Sequence, residues 1–230
     1  MIKRFTKGLA AITVFCALTA TYVLAVQAAN VSVSNDPELR RAVANAGTTP
    51  TTITFTANIE MSSSFIIPEG ADITLTSAGG NMFSLITTRD LDSIIIDGYV
   101  PRRRSGISVI IIDGQVHHND STSPTINTSL TLNNIGVTRI DGTRGIGVRN
   151  NGGNLTMNSG IISGHNRNSH GVVITEGAFT MNGGTISRNR SNGGGAVFIG
   201  GGTAVFIMNG GTISENYSGG GSHGGGGVSI

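Results

Sequence analysis

The chain has 230 residues, of which 35 are Gly, 20 are Asn, 5 are Pro and none is Trp, and only 12% are charged. That is too apolar for a disordered chain and lacks the Gly-X-Y period of collagen; the Gly and Asn point to tight turns between short strands. The formal charge of +2 includes Lys3, Arg4 and Lys7, and the rest of the chain carries 12 Arg, no Lys and 13 acids, a balance of −1 that argues against a nucleic-acid-binding protein.

Residues 1–28 read as an export signal. Lys3, Arg4 and Lys7 form a basic head, 9–25 is a nearly unbroken apolar run, and Val26-Gln27-Ala28 offers small or short residues at the two positions a signal peptidase reads. The apolar run sits at the lower edge of membrane-spanning length, so cleavage after Ala28 is expected over a retained anchor. Phe15 precedes Cys16, where a lipoprotein would need a small residue. Removal of the leader removes the only Cys, so the exported chain has no disulfide and no thiolate metal site.

The segment 29–50 is expected to hold a capping helix over 37–46. Asp36 is the expected N-cap, Pro37 suits the first turn, and Glu38 suits the positive end of the dipole. Leu39, Ala42, Val43 and Ala46 make one apolar stripe, and Gly47 stops the helix. Too short to be stable alone, it must lie on something apolar.

From Thr51 the period becomes two. Ile53-Thr54-Phe55-Thr56 and Ile73-Thr74-Leu75-Thr76 alternate, and Phe65-Ile66-Ile67 is a short apolar strand. Further strands are predicted at 93–96 and 109–112, closed by Asp97-Gly98 and Asp113-Gly114.

The last third is a repeat. Leu132-Asn133, Met157-Asn158, Met181-Asn182 and Met208-Asn209 recur at spacings of 25, 24 and 27 residues. Each is followed by a second strand (Val137, Ile162, Ile186, Ile213) and then a third (Val148, Val172, Val197, Val228). Three strand-sized pieces per period of about 25 make one turn of a parallel β-helix, the expected all-β fold of 51–230, with roughly seven coils stacked at about 4.8 Å. The right-handed crossover rule predicts a right-handed coil. Alternation places Phe179, Met181, Val172, Ile174, Val197, Ile199, Val228 and Ile230 inward and Thr180 outward. Asn133, Asn158, Asn182 and Asn209 are expected to form a hydrogen-bonded ladder along the axis. The array is in phase at Ile230, so the expected chain is truncated there or stacks end to end on another copy.

The repeat 179–197 (Phe179-Thr180-Met181-Asn182-Gly183-Gly184-Thr185-Ile186-Ser187, then Gly193-Gly194-Gly195-Ala196-Val197) and its copy over 206–228 resemble the repeats of adhesin-like bacterial surface proteins. Those belong to the pectate-lyase-like right-handed parallel β-helix superfamily, also called the pectin lyase fold. The resemblance is strong over 129–230 and looser over 51–114. It implies an N-terminal helix plugging the core, a secreted or cell-surface location, and adhesion or a structural stalk more often than catalysis. Surface glycans or host and neighbour-cell receptors are the implied partners, with no nucleic acid and no membrane contact except through the leader or an anchor outside this chain. The same fold hosts pectate lyases and polygalacturonases, the alternative reading.

Residues for that alternative chemistry are sparse. Ser169-His170-Gly171 and Ser222-His223-Gly224 approach the Gly-His-Gly of polygalacturonases, but no Asp shares their coils, and Glu176 and Glu215 fall in different loops. Asp90, Asp92, Asp97 and Asp113, with Arg102-Arg103-Arg104 between them, would suit a Ca²⁺-dependent lyase or an acidic-glycan patch; Asp-Gly pairs and a solvated loop are the simpler reading. His117 and His118 are adjacent and point oppositely on a strand, so they suit a turn over a metal site. No catalytic residue, cofactor-binding residue, metal ligand or cofactor is assigned.

Overall fold

The computed structural model describes residues 28–90, 93–96, 111–112, 128–140, 143–166, 169–200, 204–219 and 226–230. These form an all-β parallel solenoid with one α-helix. One sheet contains six strands, one per turn: Ile59–Met61, Phe83–Thr87, Ile135–Arg139, Gly160–Ser163, Thr185–Ser187 and Thr212–Ser214. The solenoid therefore has about six turns, one fewer than the repeat arithmetic suggests.

The first strands of the coils stack in unbroken register. Ala29–Val33 pairs with Thr51–Phe55, which pairs in turn with Asp72–Ser77 and Ser129–Asn133; the column continues through the ends of Val148–Met157 and Val172–Met181 to Val205–Met208. Ala29–Val33 is a strand that the sequence reading did not anticipate. The third strands also stack: Val148, Val172, Val197 and Val228 are successive partners. In two coils the third strand and the next first strand are one continuous ten-residue strand, Val148–Met157 and Val172–Met181. In the first of these, buried Asn150 braces the corner. Its amide donates to the carbonyls of Gly153 (2.8 Å) and Ala178 (2.7 Å), and its oxygen accepts from the N–H groups of Gly152 (3.0 Å) and Gly153 (2.9 Å). All four hydrogen-bonding positions of the side chain are filled, which offsets the cost of burying it.

The interior follows the predicted alternation. Leu130, Leu132, Leu155, Met157, Phe179 and Met181 are buried from the first strands, and Val137, Ile162 and Ile186 from the second. Phe179 stacks on Phe206 with ring centroids 5.0 Å apart. Burying each such side chain is worth about 1.5–3 kcal/mol, and no one strand could do it alone. On the last rung Val228 holds the register of buried Val197 and is 41% exposed, Ile230 is 92% exposed, and Ser229 is buried.

The helix Asp36–Ala46 buries the stripe Leu39, Ala42, Val43 and Ala46 against the first strands of the solenoid. Its N-cap is Asn35, one residue before the expected Asp36. Asn35 Oδ1 accepts from Glu38 N–H (3.0 Å), and Glu38 reaches back to accept from Ser34 N–H (2.7 Å), a reciprocal capping arrangement. Asp36 instead pairs with Arg40 one turn on, at 2.9 Å. No helix among the described residues is long and apolar enough to cross a membrane.

Candidate functional site

The outward face of the first-strand sheet is regular among the described residues. Because side chains alternate, a strand whose odd positions fill the core must present its even positions to solvent. One outward column runs Asn30, Thr52, Thr74, Thr131, Thr156, Thr180 and Ile207, each in register with the next. Two residues along each strand, a second column runs Ser32, Thr54, Thr76 and Asn133, then continues through Asn158, Asn182 and Asn209. Asn158 Nδ2 donates to Asn133 Oδ1 (2.8 Å), Asn182 to Asn158 (2.9 Å) and Asn209 to Asn182 (2.8 Å), so the expected Asn ladder is present. The hydroxyls of Thr52, Thr54, Thr74, Thr76, Thr131, Thr156 and Thr180 have no hydrogen-bond partner among the described residues. Thr51, Thr56, Thr87 and Thr88, off this face, all donate to protein acceptors.

A second polar ladder, inside the corner after the second strand, was not foreseen. Asn189 Nδ2 donates to Asn216 Oδ1 (2.9 Å) and to the Ile162 carbonyl (3.2 Å), and Asn189 Oδ1 accepts from the His165 N–H (3.1 Å). His165 and Asn189 are fully buried. The signal was in the aligned repeats: Ser163-Gly164-His165, Ser187-Arg188-Asn189 and Ser214-Glu215-Asn216 share one column. Arg188 and Glu215 take left-handed φ values of 55° and 56°, which swing the following residue inward. A Cβ on Gly171 would lie 2.8 Å from Asn189 Nδ2, so glycine there makes room for the ladder.

His165 Nε2 faces the Val137 carbonyl (3.3 Å), and the Arg139 Nε lies 3.5 Å from its Nδ1. Burial first, then the neighbouring Arg139 cation, push its pKa down to about 3; its carbonyl partners oppose this. Arg139, itself buried, donates to the carbonyls of Arg89 (2.9 Å) and Arg144 (2.5 Å). This cluster ties three coils together and presents no reactive atom to solvent.

His170, singled out from Ser169-His170-Gly171, stacks on Phe198 with centroids 5.2 Å apart. Its Nδ1 faces the Gly194 carbonyl, and Ser191 Oγ lies 3.1 Å from its Nε2. Nδ1–H donating to Gly194 leaves Nε2 to accept from Ser191, the order found in nucleophile–base pairs. Burial lowers the His170 pKa, against the Gly194 carbonyl, which raises it. Ser191, however, is only 3% exposed, so its hydroxyl is closed to an acyl or glycosyl substrate. The pair acts as an internal clamp between coils.

The carboxylates do not assemble in the described part. Asp90 is exposed and accepts from the Arg144 N–H (2.8 Å). Glu215 forms an exposed ion pair with Arg188 at 2.8 Å, one coil away. Among the described residues, no three His, Cys, Asp or Glu converge. Asp92, Asp97, Asp113, Arg102-Arg103-Arg104, His117, His118, His223, residues 1–27 and the Glu176 side chain lie outside the described residues. A shallow groove of about 350 Å³ between Ala29–Val33 and the helix is lined by Val31, Glu38, Arg41 and Asn45. No protein-family model, curated protein or solved structure matches the chain.

Proposed function

We propose that this chain is an exported solenoid that works by contact and not by catalysis, as an adhesin or structural stalk at the cell surface or in the medium. The observation that carries the reading is the Thr/Asn face, with seven rungs in register and a row of hydroxyls that have no hydrogen-bond partner among the described residues. Exposed hydroxyls are hydrated without cost, so this regular array remains open to an external partner. The leader 1–28, the capping role of the 29–50 segment, the right-handed coil and the kinship with adhesin-like bacterial proteins of the pectin lyase fold belong to this reading. They rest on the sequence patterns. Surface glycans and receptors are the first partners to test. Val205, Met208, Val228 and Ile230 on the last rung are exposed and apolar, a surface suited to end-to-end association with another copy.

The test pairs retention with turnover. Purified protein is washed over cells, immobilised polysaccharides and other solid surfaces, and the supernatants are assayed for reducing ends and unsaturated sugars. Retention without product is expected. Sugar release that disappears in Asp97→Ala or Asp113→Ala would establish the polysaccharide-enzyme alternative instead.

A further inference from the structure

We infer that the ligand of the Thr/Asn face is ice, the ordered lattice of water itself. This rests on the proposed reading of that face as a contact surface and names what it contacts. Over Thr52–Thr54, Thr74–Thr76 and Thr131–Asn133 the two columns form a grid within the strands, and the first column continues through Thr156 and Thr180. Neighbouring rungs of a parallel sheet are about 4.8 Å apart, and alternate residues along a strand are about 6.7 Å apart. Repeats of this size are of the order of the oxygen–oxygen repeats on faces of hexagonal ice. Thr131-Leu132-Asn133, Thr156-Met157-Asn158 and Thr180-Met181-Asn182 repeat one unit of this grid, and Thr52 to Thr54 and Thr74 to Thr76 repeat it with Thr in both columns.

The chemistry of the face selects against other ligands. The two columns carry no cation, which disfavours a phosphate backbone or an acidic glycan as their partner. They carry no aromatic ring, the group whose large flat apolar surface would stack on sugar rings. The one acid, Asp72, is engaged by the Ser129 hydroxyl at 2.5 Å. What remains is a neutral array of methyl groups beside hydroxyls and amides, matched to a neutral lattice.

The array is also held rigid. Thr is stiff about χ1, so each methyl and hydroxyl keeps a fixed direction. Each Asn amide from 158 onward spends one N–H on the preceding rung, which fixes its plane and leaves its second N–H for the ligand. Order in the free state means little entropy is lost on binding. Each contact is weak, but a solid presents every rung with its partner at once, so the contacts act together.

The test uses the full exported chain and two double variants, Thr131→Lys with Thr156→Lys and Thr131→Val with Thr156→Val, plus Thr212→Lys on a different sheet as control. Circular dichroism checks that each remains folded. Thermal hysteresis and partition into slowly grown ice are measured. Wild type and Thr212→Lys should concentrate in the ice, and the Lys pair should lose that enrichment by about tenfold or more. The Val pair, which keeps shape and loses the hydroxyls, should be intermediate. A folded wild type excluded from ice like serum albumin would overturn the assignment, as would a Lys pair that partitions normally. Retention on chitin or cellulose with exclusion from ice would also overturn it, and would leave the adhesive reading intact. Sugar turnover would remove both.

Discussion

Asn189→Ala and Asn182→Ala make the same chemical change in the same coil, and the structure predicts very different costs. Asn182 sits in the exposed ladder, bonded to Asn158 (2.9 Å) and Asn209 (2.8 Å). Water replaces these bonds when the side chain is cut, so the loss should stay under about 1 kcal/mol. Asn189 is fully buried. Its removal strands the His165 N–H and takes a donor from the Ile162 carbonyl, both inside the corner. At about 1–3 kcal/mol for each of the two buried groups left unpaired, the loss should be about 2–6 kcal/mol. For a chain of this size each kcal/mol moves the melting temperature by about 2–4 °C, so Asn189→Ala should melt roughly 4–24 °C lower and Asn182→Ala at most a few degrees lower. Thermal and urea melts followed by circular dichroism at pH 7.5 measure both. Because solenoid repeats unfold with limited cooperativity, amide exchange at 162–190 should report the loss locally. Equal shifts in the two variants would refute the distinction between the inner and outer ladders.

Other consequences can be measured on the same preparations. Ile186→Asp places a carboxylate between Ile162 and Ile213 and should cost about 5 kcal/mol or more, so no cooperative melt should remain at neutral pH. Gly177 has φ of 76°, and a Cβ there would lie 2.3 Å from the Gly153 carbonyl oxygen; Gly177→Ala should lower stability by about 1–3 kcal/mol, seen as a reduced urea midpoint. His165 has its pKa depressed to about 3 by burial, so between its ordinary value of 6.5 and that figure only the unfolded chain takes up the proton. Its contribution is therefore whole above pH 6.5 and is lost as pH falls, by about 1.4 kcal/mol per unit. His165→Asn, matching Asn189 and Asn216 in the neighbouring coils, should flatten the acid side of the urea-midpoint profile; an unchanged profile would count against a neutral buried ring.

The coiled architecture was legible in the sequence because stacking imposes a repeat. Residues that occupy one column face the same environment, so Val148, Val172, Val197 and Val228 declared their register directly. The outer Asn ladder followed from the same logic. The inner ladder did not, because Asn189 and Asn216 at a corner look the same whether they face water or core. Only the left-handed φ of Arg188 and Glu215 decides it, and both are residue types that give no warning. The choice of Asn35 over Asp36 as N-cap turns on one residue of helix phase. As for the site, the Thr rows were visible as outward positions. That their hydroxyls have no partner among the described residues could be learned only from the geometry.

The most direct test of the contact reading is a lysine scan around the solenoid. Single substitutions Thr74→Lys, Thr131→Lys, Thr156→Lys and Thr180→Lys cover the first-strand sheet, and Thr138→Lys, Ser163→Lys and Ser187→Lys cover the second. Each folded variant is assayed for retention on whichever surface holds the wild type. The account predicts that retention falls at all four positions of the first sheet and stays at wild-type level on the second. Losses concentrated on the second sheet, or none on the first, would contradict it.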